Sequence, residues 1–97
     1  MISVPLDLFE NIKSRVECVN GAVFYRDRAT DQLHRTDGPA VIYANGDHYW
    51  FLHGQLHRAD GPAMEYANGG RWWYWHGQHM TEQEHAAATA RKASPLL

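Results

Sequence analysis

Residues 39–53 carry two short runs of β-branched and aromatic positions separated by a turn dipeptide. The first run, 39–44, opens at Pro39, where a missing N–H does least harm, and continues through Val41, Ile42 and Tyr43. Asn45-Gly46 is tight-hairpin chemistry, because both residues tolerate positive φ. The second run, 48–53, returns and ends at the turn His53-Gly54-Gln55. The same pattern recurs at 62–67 and 71–76 around Asn68-Gly69. It predicts a mainly β fold, an antiparallel meander of hairpins with a short helix at each end.

The recurrence is literal. Residues 33–55, LHRTDGPAVIYANGDHYWFLHGQ, abut residues 56–78, LHRADGPAMEYANGGRWWYWHGQ, and 15 of 23 positions are identical. A fixed period of this length marks stacked supersecondary units. Strand alternation places Val41/Met64 with Tyr43/Tyr66, and Trp50/Trp73 with Leu52/Trp75. Tyr49/Trp72 and Phe51/Tyr74 fall on the opposite side. Both sides of the second strands are thus aromatic. One side must be core, to which Trp50 and Trp73 are assigned. The other is covered by the terminal helices or open for binding.

Outside the copies, residues 3–16 predict a helix. Ser3 is placed to cap it, and Leu8, Phe9, Ile12 and Val16 share a face. Residues 17–32 read as a degenerate first hairpin unit with a turn at Asn20-Gly21 and a strand at 22–27. Residues 80–93 predict a second helix. Thr81 and Glu84 form a capping box there, and the scarcity of large apolar residues implies shallow docking. All 97 residues make one domain.

Composition narrows the function classes. A hydrophobic content of 44% with four Trp and five Tyr argues against disorder. A net charge of −2 is too balanced for a generic nucleic-acid or membrane-surface partner. One cysteine permits no intrachain disulfide, and neither a secretion signal nor an apolar span is legible, so a cytoplasmic protein is expected. Seven histidines would carry the formal charge from −2 to +5 if all were protonated, which predicts pH-dependent behaviour.

The motif Leu-His-Arg-x-Asp-Gly-Pro-Ala occurs at 33–40 and 56–63. Its His34, Asp37, Gly38 and Pro39, with His57, Asp60, Gly61 and Pro62, are read as a structural turn. The carboxylates are expected to accept backbone N–H bonds, the glycines to take angles closed to other residues, and the histidines to reach the Asp. Duplication with the fold's own period argues against a catalytic site, although a hydrolase using these His and Asp remains a third possibility. His53 and His57, with His76 and His79 nearby, have metal-like spacing. Zinc usually takes three or four convergent ligands, so turn histidines are the favoured reading and no metal or cofactor is expected. No nucleophile motif or phosphate loop is present. Aromatics beside a cation suit a protein hot spot, so Tyr49, Phe51, Arg71, Trp72, Tyr74 and His76 are the candidate binding surface.

On the LHRxDGPA and YANG…WHGQ residues, the chain resembles the MORN-type repeat proteins, in the variant common in tailed phages and large DNA viruses. The resemblance spans residues 33–84. The chain departs from ordinary MORN units in carrying Asp-Gly-Pro-Ala in place of their closely spaced glycines. The resemblance implies a sheet of β-hairpins serving as an interaction scaffold without catalytic activity. It further implies a small phage-encoded binding protein that engages a host protein in the host cytoplasm, such as a component of a bacterial defence system. The alternative is a binder that sequesters a nucleotide or nucleotide-like signal between aromatic faces and Arg. Because arrays usually need three or more units, two full copies and a partial one predict a homodimer or larger homo-oligomer.

Overall fold

The computed structural model describes residues 14–93. Strands β1 (Ser14–Val19) and β2 (Ala22–Asp27) form a regular hairpin. They turn through Asn20 and Gly21 at φ 51° and 82°, the two positive angles of a twist-matched two-residue turn. After the loop to residue 40 come β3 (Val41–Ile42) and β4 (His48–Tyr49). Next are β5 (Phe51–Leu52), β6 (Gln55–Leu56), β7 (Met64–Glu65), β8 (Arg71–Trp75) and β9 (Gln78–Met80). Helix α1 (Glu82–Ala93) closes the described chain. A seven-stranded antiparallel sheet runs β1-β2-β3-β4-β7-β8-β9, and β5 pairs with β6 in a separate two-stranded sheet.

The fold is mainly β, as the sequence pattern predicts, with five local differences. The N-terminal helix falls mostly on residues 3–13, outside the described residues. Its last three positions, 14–16, belong instead to β1, and Val16 is 52% exposed there. The unit expected to be degenerate in its first half has a full six-residue strand in that place.

The expected strand 48–53 is split at Trp50. The Trp50 N–H donates to the Ala63 carbonyl at 2.7 Å, while the Trp50 carbonyl accepts from the His57 N–H at 3.0 Å. One residue thus serves two ladders, and the chain passes from the large sheet into the small one.

The Asn45-Gly46 turn is not the two-residue type. Gly46 N–H donates to the Tyr43 carbonyl at 3.0 Å, Tyr43 N–H donates to the Asp47 carbonyl at 2.9 Å, and only Gly46 (φ 101°) is left-handed. This is a three-residue loop ending in a glycine bulge. The Tyr66–Gly70 turn has the same two bonds, at 2.9 and 2.8 Å.

Helix α1 begins two residues after the predicted start because Met80 is in β9, paired with Trp73. The capping box forms: Glu84 N–H donates to Thr81 Oγ1 at 3.1 Å, and Thr81 N–H donates to Glu84 Oε1 at 2.8 Å. The helix packs on β8 and β9. His85, 2% exposed, makes the deepest contact: its ring lies 4.9 Å from Trp73, and its Nε2–H donates to the Arg58 carbonyl at 2.5 Å. A buried polar residue thus helps anchor a helix that has few large apolar ones.

Among the described residues, the buried hydrophobic ones are small: Ala22, Ala40, Val41 and Ala63. The large aromatics ring this thin core and keep one side toward solvent. Register runs Phe24–Val41–Tyr49–Met64–Trp72 across one face. Val23–Ile42–His48–Glu65–Arg71 runs across the other, and α1 covers part of that second face through its contacts with Trp73 and Trp75.

Candidate functional site

The histidine–arginine–aspartate motif builds two equivalent loops on the helix side of the sheet. Arg35 Nε donates to Asp37 Oδ1 at 2.8 Å, and Arg35 Nη1 to the Pro39 carbonyl at 3.1 Å. Arg58 does the same with Asp60 at 2.9 Å and the Pro62 carbonyl at 3.1 Å. Each guanidinium lies on an aromatic ring of the preceding unit, Arg35 at 4.0 Å from the Tyr25 centroid and Arg58 at 3.8 Å from that of Trp50. Arg58 also pairs with Glu65 at 3.2 Å. The guanidinium beside Asp60 holds that carboxyl below its ordinary range.

Three expectations for this motif change. The Asp37 and Asp60 side chains bond chiefly to arginine. Gly38 and Gly61 are not left-handed. A Cβ would stand 3.1 Å from Arg35 Cζ at position 38 and 2.8 Å from Arg58 Cζ at position 61, so a larger residue would displace the guanidinium that folds over the backbone.

The histidines do not reach the Asp. His34 Nδ1 accepts the His53 N–H at 2.9 Å, and His57 Nδ1 accepts the His76 N–H at 2.8 Å. Each pair is also in ring contact, with centroids 4.5 and 4.2 Å apart. His53 and His76 have φ of 49° and 48°, followed by Gly54 and Gly77 at 79° and 82°. The donated bonds tie these left-handed turns to the start of the same repeat copy. The pairing also separates the His53/His57 spacing that resembled a metal motif. Among the described residues, no group of three or more His, Cys, Asp and Glu converges on one point.

The cleft of about 670 Å³ between the two loops is lined by Arg35, Asp37, Trp50, Leu52, Arg58 and Asp60, among others. Both arginines there are already paired to their aspartates and seated on rings. This leaves little uncompensated positive charge for a phosphate.

The opposite face is different. Tyr43 and Tyr49 stand 5.4 Å apart edge to face, with Phe24 6.1 Å from Tyr43 and Tyr66 6.1 Å from Tyr49. Met64 links Tyr49 to Trp72 by register. His79 then stands 5.3 Å from both Trp72 and Tyr74. Tyr43 is 37% and Trp72 45% exposed. Burial raises the Tyr49 phenol, with neighbouring Tyr66 and Asp47 adding to the effect, so it stays a neutral hydroxyl.

Of the six surface residues proposed from sequence, Tyr49, Trp72 and Tyr74 belong to this face. Phe51 is in the two-stranded sheet. Arg71 pairs in register with Glu65, one residue out of phase with Trp72. His76 stacks on His57 in the turn. His79, Tyr43 and Tyr66 join the face without having been assigned to it. The signal for His79 was available: register at a tight His-Gly turn places it opposite Tyr74.

No helix among the described residues is long and apolar enough to cross a membrane. The chain matches no protein-family model, no curated protein and no solved structure.

Proposed function

We propose that the chain is a non-enzymatic binding module of repeated MORN-type hairpins, and that it takes a protein partner on the aromatic face Tyr43, Tyr49, Tyr66, Trp72 and Tyr74. The observation that carries this reading is two clusters of part-exposed rings on the sheet side opposite helix α1, Tyr43–Tyr49–Tyr66 and Trp72–His79–Tyr74, joined by register through Met64. A surface rich in Tyr and Trp suits the centre of a protein interface. The equivalent arginine loops at 23-residue spacing support repeated units whose motif residues shape the scaffold. A phage origin, a host-protein partner in the host cytoplasm and a role against a bacterial defence system rest on the sequence resemblance. The nucleotide-sequestering alternative is less favoured, because Arg35 and Arg58 are neutralised within their own loops.

The test is affinity capture from bacterial lysate with wild type and a Trp72→Ala, Tyr74→Ala double variant, followed by measured affinity for the captured protein. Loss of capture by a folded double variant supports the reading. Equal capture by both proteins, or tight binding of a nucleotide by calorimetry, overturns it.

Self-association is proposed along β1, which has a sheet partner on one side only among the described residues. Val16 and Val19 are each 52% exposed there. Sedimentation at micromolar concentration should give at least a dimer, and a monomer would remove the proposal.

A further inference from the structure

The helix side of the sheet uses one arrangement twice: an aromatic ring, an arginine lying on it, and a carboxylate on the arginine. Tyr25, Arg35 and Asp37 form the first set, and Trp50, Arg58 and Asp60 the second. The side opposite the helix has a groove with the ring and the carboxylate and, among the described residues, no cation. This groove, of about 550 Å³, is lined by Phe24, Tyr43, Tyr49, Asn20, Asn45 and Asp47 with small apolar neighbours. Asp47 is the one charged residue among the described residues that line it.

Asp47 is held in place from both oxygens. Oδ1 accepts the Ala67 N–H at 2.7 Å, and Oδ2 accepts from Asn45 Nδ2 at 3.3 Å. Each carboxylate oxygen has a second acceptor position, so these bonds orient the group without exhausting it. Tyr43 and Tyr49 meet at 74° and Phe24 and Tyr43 at 88°, so the groove offers ring faces in more than one direction. A planar cation of low hydration gains from both features.

We propose that the groove formed by Phe24, Tyr43, Tyr49 and Asp47 binds an arginine side chain of the protein partner. Asp47 accepts the guanidinium N–H groups, and the rings hold its faces. The second sequence copy supplies an internal comparison. One period on, Tyr43, Tyr49 and Asp47 become Tyr66, Trp72 and Gly70, so the equivalent position has rings and no carboxylate. The arginine preference therefore belongs to the first groove alone. This inference rests on the aromatic face being the partner surface, and it names the chemistry of one anchor.

The test is amide NMR of the full chain titrated with N-acetyl-arginine methylamide, beside its citrulline and norleucine counterparts. Citrulline keeps the planar shape and loses the charge, and norleucine keeps only apolar length. Saturable shifts are expected with the arginine compound at Asp47 and at Ala67, whose N–H reports on the carboxylate. The citrulline and norleucine compounds should bind at least about tenfold more weakly. Asp47→Asn retains an acceptor for Ala67, and Tyr43→Leu retains apolar bulk. Each should weaken the arginine response by about tenfold with the remaining amide spectrum unchanged.

Equal affinity for norleucine or citrulline, shifts centred on Trp72 or on Asp37 and Asp60, no saturation, or an unaffected Asp47→Asn response would each overturn the proposal. Those failures are separable from failure of the broader reading. Capture lost in the Trp72→Ala, Tyr74→Ala variant without an arginine response would keep the face and remove this anchor.

Discussion

Arg58→Ala is expected to lower folding stability by about 2–4 kcal/mol, the largest effect expected of any surface-reaching side chain among the described residues. Arg58 is only 20% exposed at its side chain and serves several neighbours at once. Its ion pair with Asp60 contributes least, because that carboxylate is 85% exposed and well screened. More depends on the Pro62 carbonyl, which lies in a buried segment and loses its charged donor. The Trp50 ring loses a guanidinium seated 3.8 Å away, and the space above Gly61 empties.

Arg58→Lys should recover little, since an ammonium cannot reach Asp60, Glu65 and Pro62 from one planar fork. Asp60→Asn should cost less than about 1 kcal/mol. Arg35→Ala should fall below Arg58→Ala, because Ile42 stands where Glu65 stands in the second copy. Urea denaturation of the four variants measures the order. A loss for Arg58→Ala no larger than that for Asp60→Asn would show that the guanidinium acts only as an exposed charge.

The contrast between Asp and Arg also explains what could be read from the sequence. The motif's recurrence was legible, and its two copies build equivalent arginine loops. The motif's centre was not legible. An Asp before Gly-Pro suggests a backbone-capping turn on local grounds, whereas the arginine's principal contacts are with a ring eight or ten residues earlier. That distance is set by tertiary packing. The same limit applies to Gly61, whose reason is the approach of Arg58, and to Trp50, which splits a strand because it bonds two different ladders.

Local chemistry was read well where the partners are close in sequence. Thr81 and Glu84 cap the helix, and Asn20-Gly21 makes the twist-matched turn. The Asn45-Gly46 turn was read one residue too short. Gly46 alone supplies the left-handed angle, and Asp47 completes the loop with a backbone bond to Tyr43. The aromatic face proposed for binding was half legible. Alternation put Tyr49, Trp72 and Tyr74 together, but it says nothing of residues across a turn, and His79 is one of these.

Stability should fall as pH drops from 7 to 5, through the histidine clasp at His34. His34 and His57 each accept a backbone N–H on Nδ1, and a protonated ring has no acceptor to offer. For His34, burial and then the neighbouring His53 depress the folded-state pKa below its ordinary 6.5, with Asp27 opposing. Between the depressed folded value and 6.5 the unfolded chain binds more protons. Stability therefore rises with pH across that window. The contribution is complete above 6.5 and lost as pH falls through the folded value.

The carboxylates with lowered values, Glu17, Asp27 and Asp60, act in the same direction only below their ordinary values of 4.5, 3.8 and 3.8. The first acid limb is thus separate from theirs. The His34 clasp is worth about 1 kcal/mol, so its loss should lower the melting temperature by roughly 4–8 °C between pH 7 and 5.

Asparagine places an oxygen near the position of Nδ1 without titrating. His34→Asn should accordingly flatten the profile between pH 7 and 5 while lowering its plateau through lost ring contacts. An unchanged slope in the variant would assign the acid limb to other histidines. A flat wild-type profile would show that the turn holds without its acceptor. In either case the left-handed His53 would need a different source of support than the ring now bonded to it.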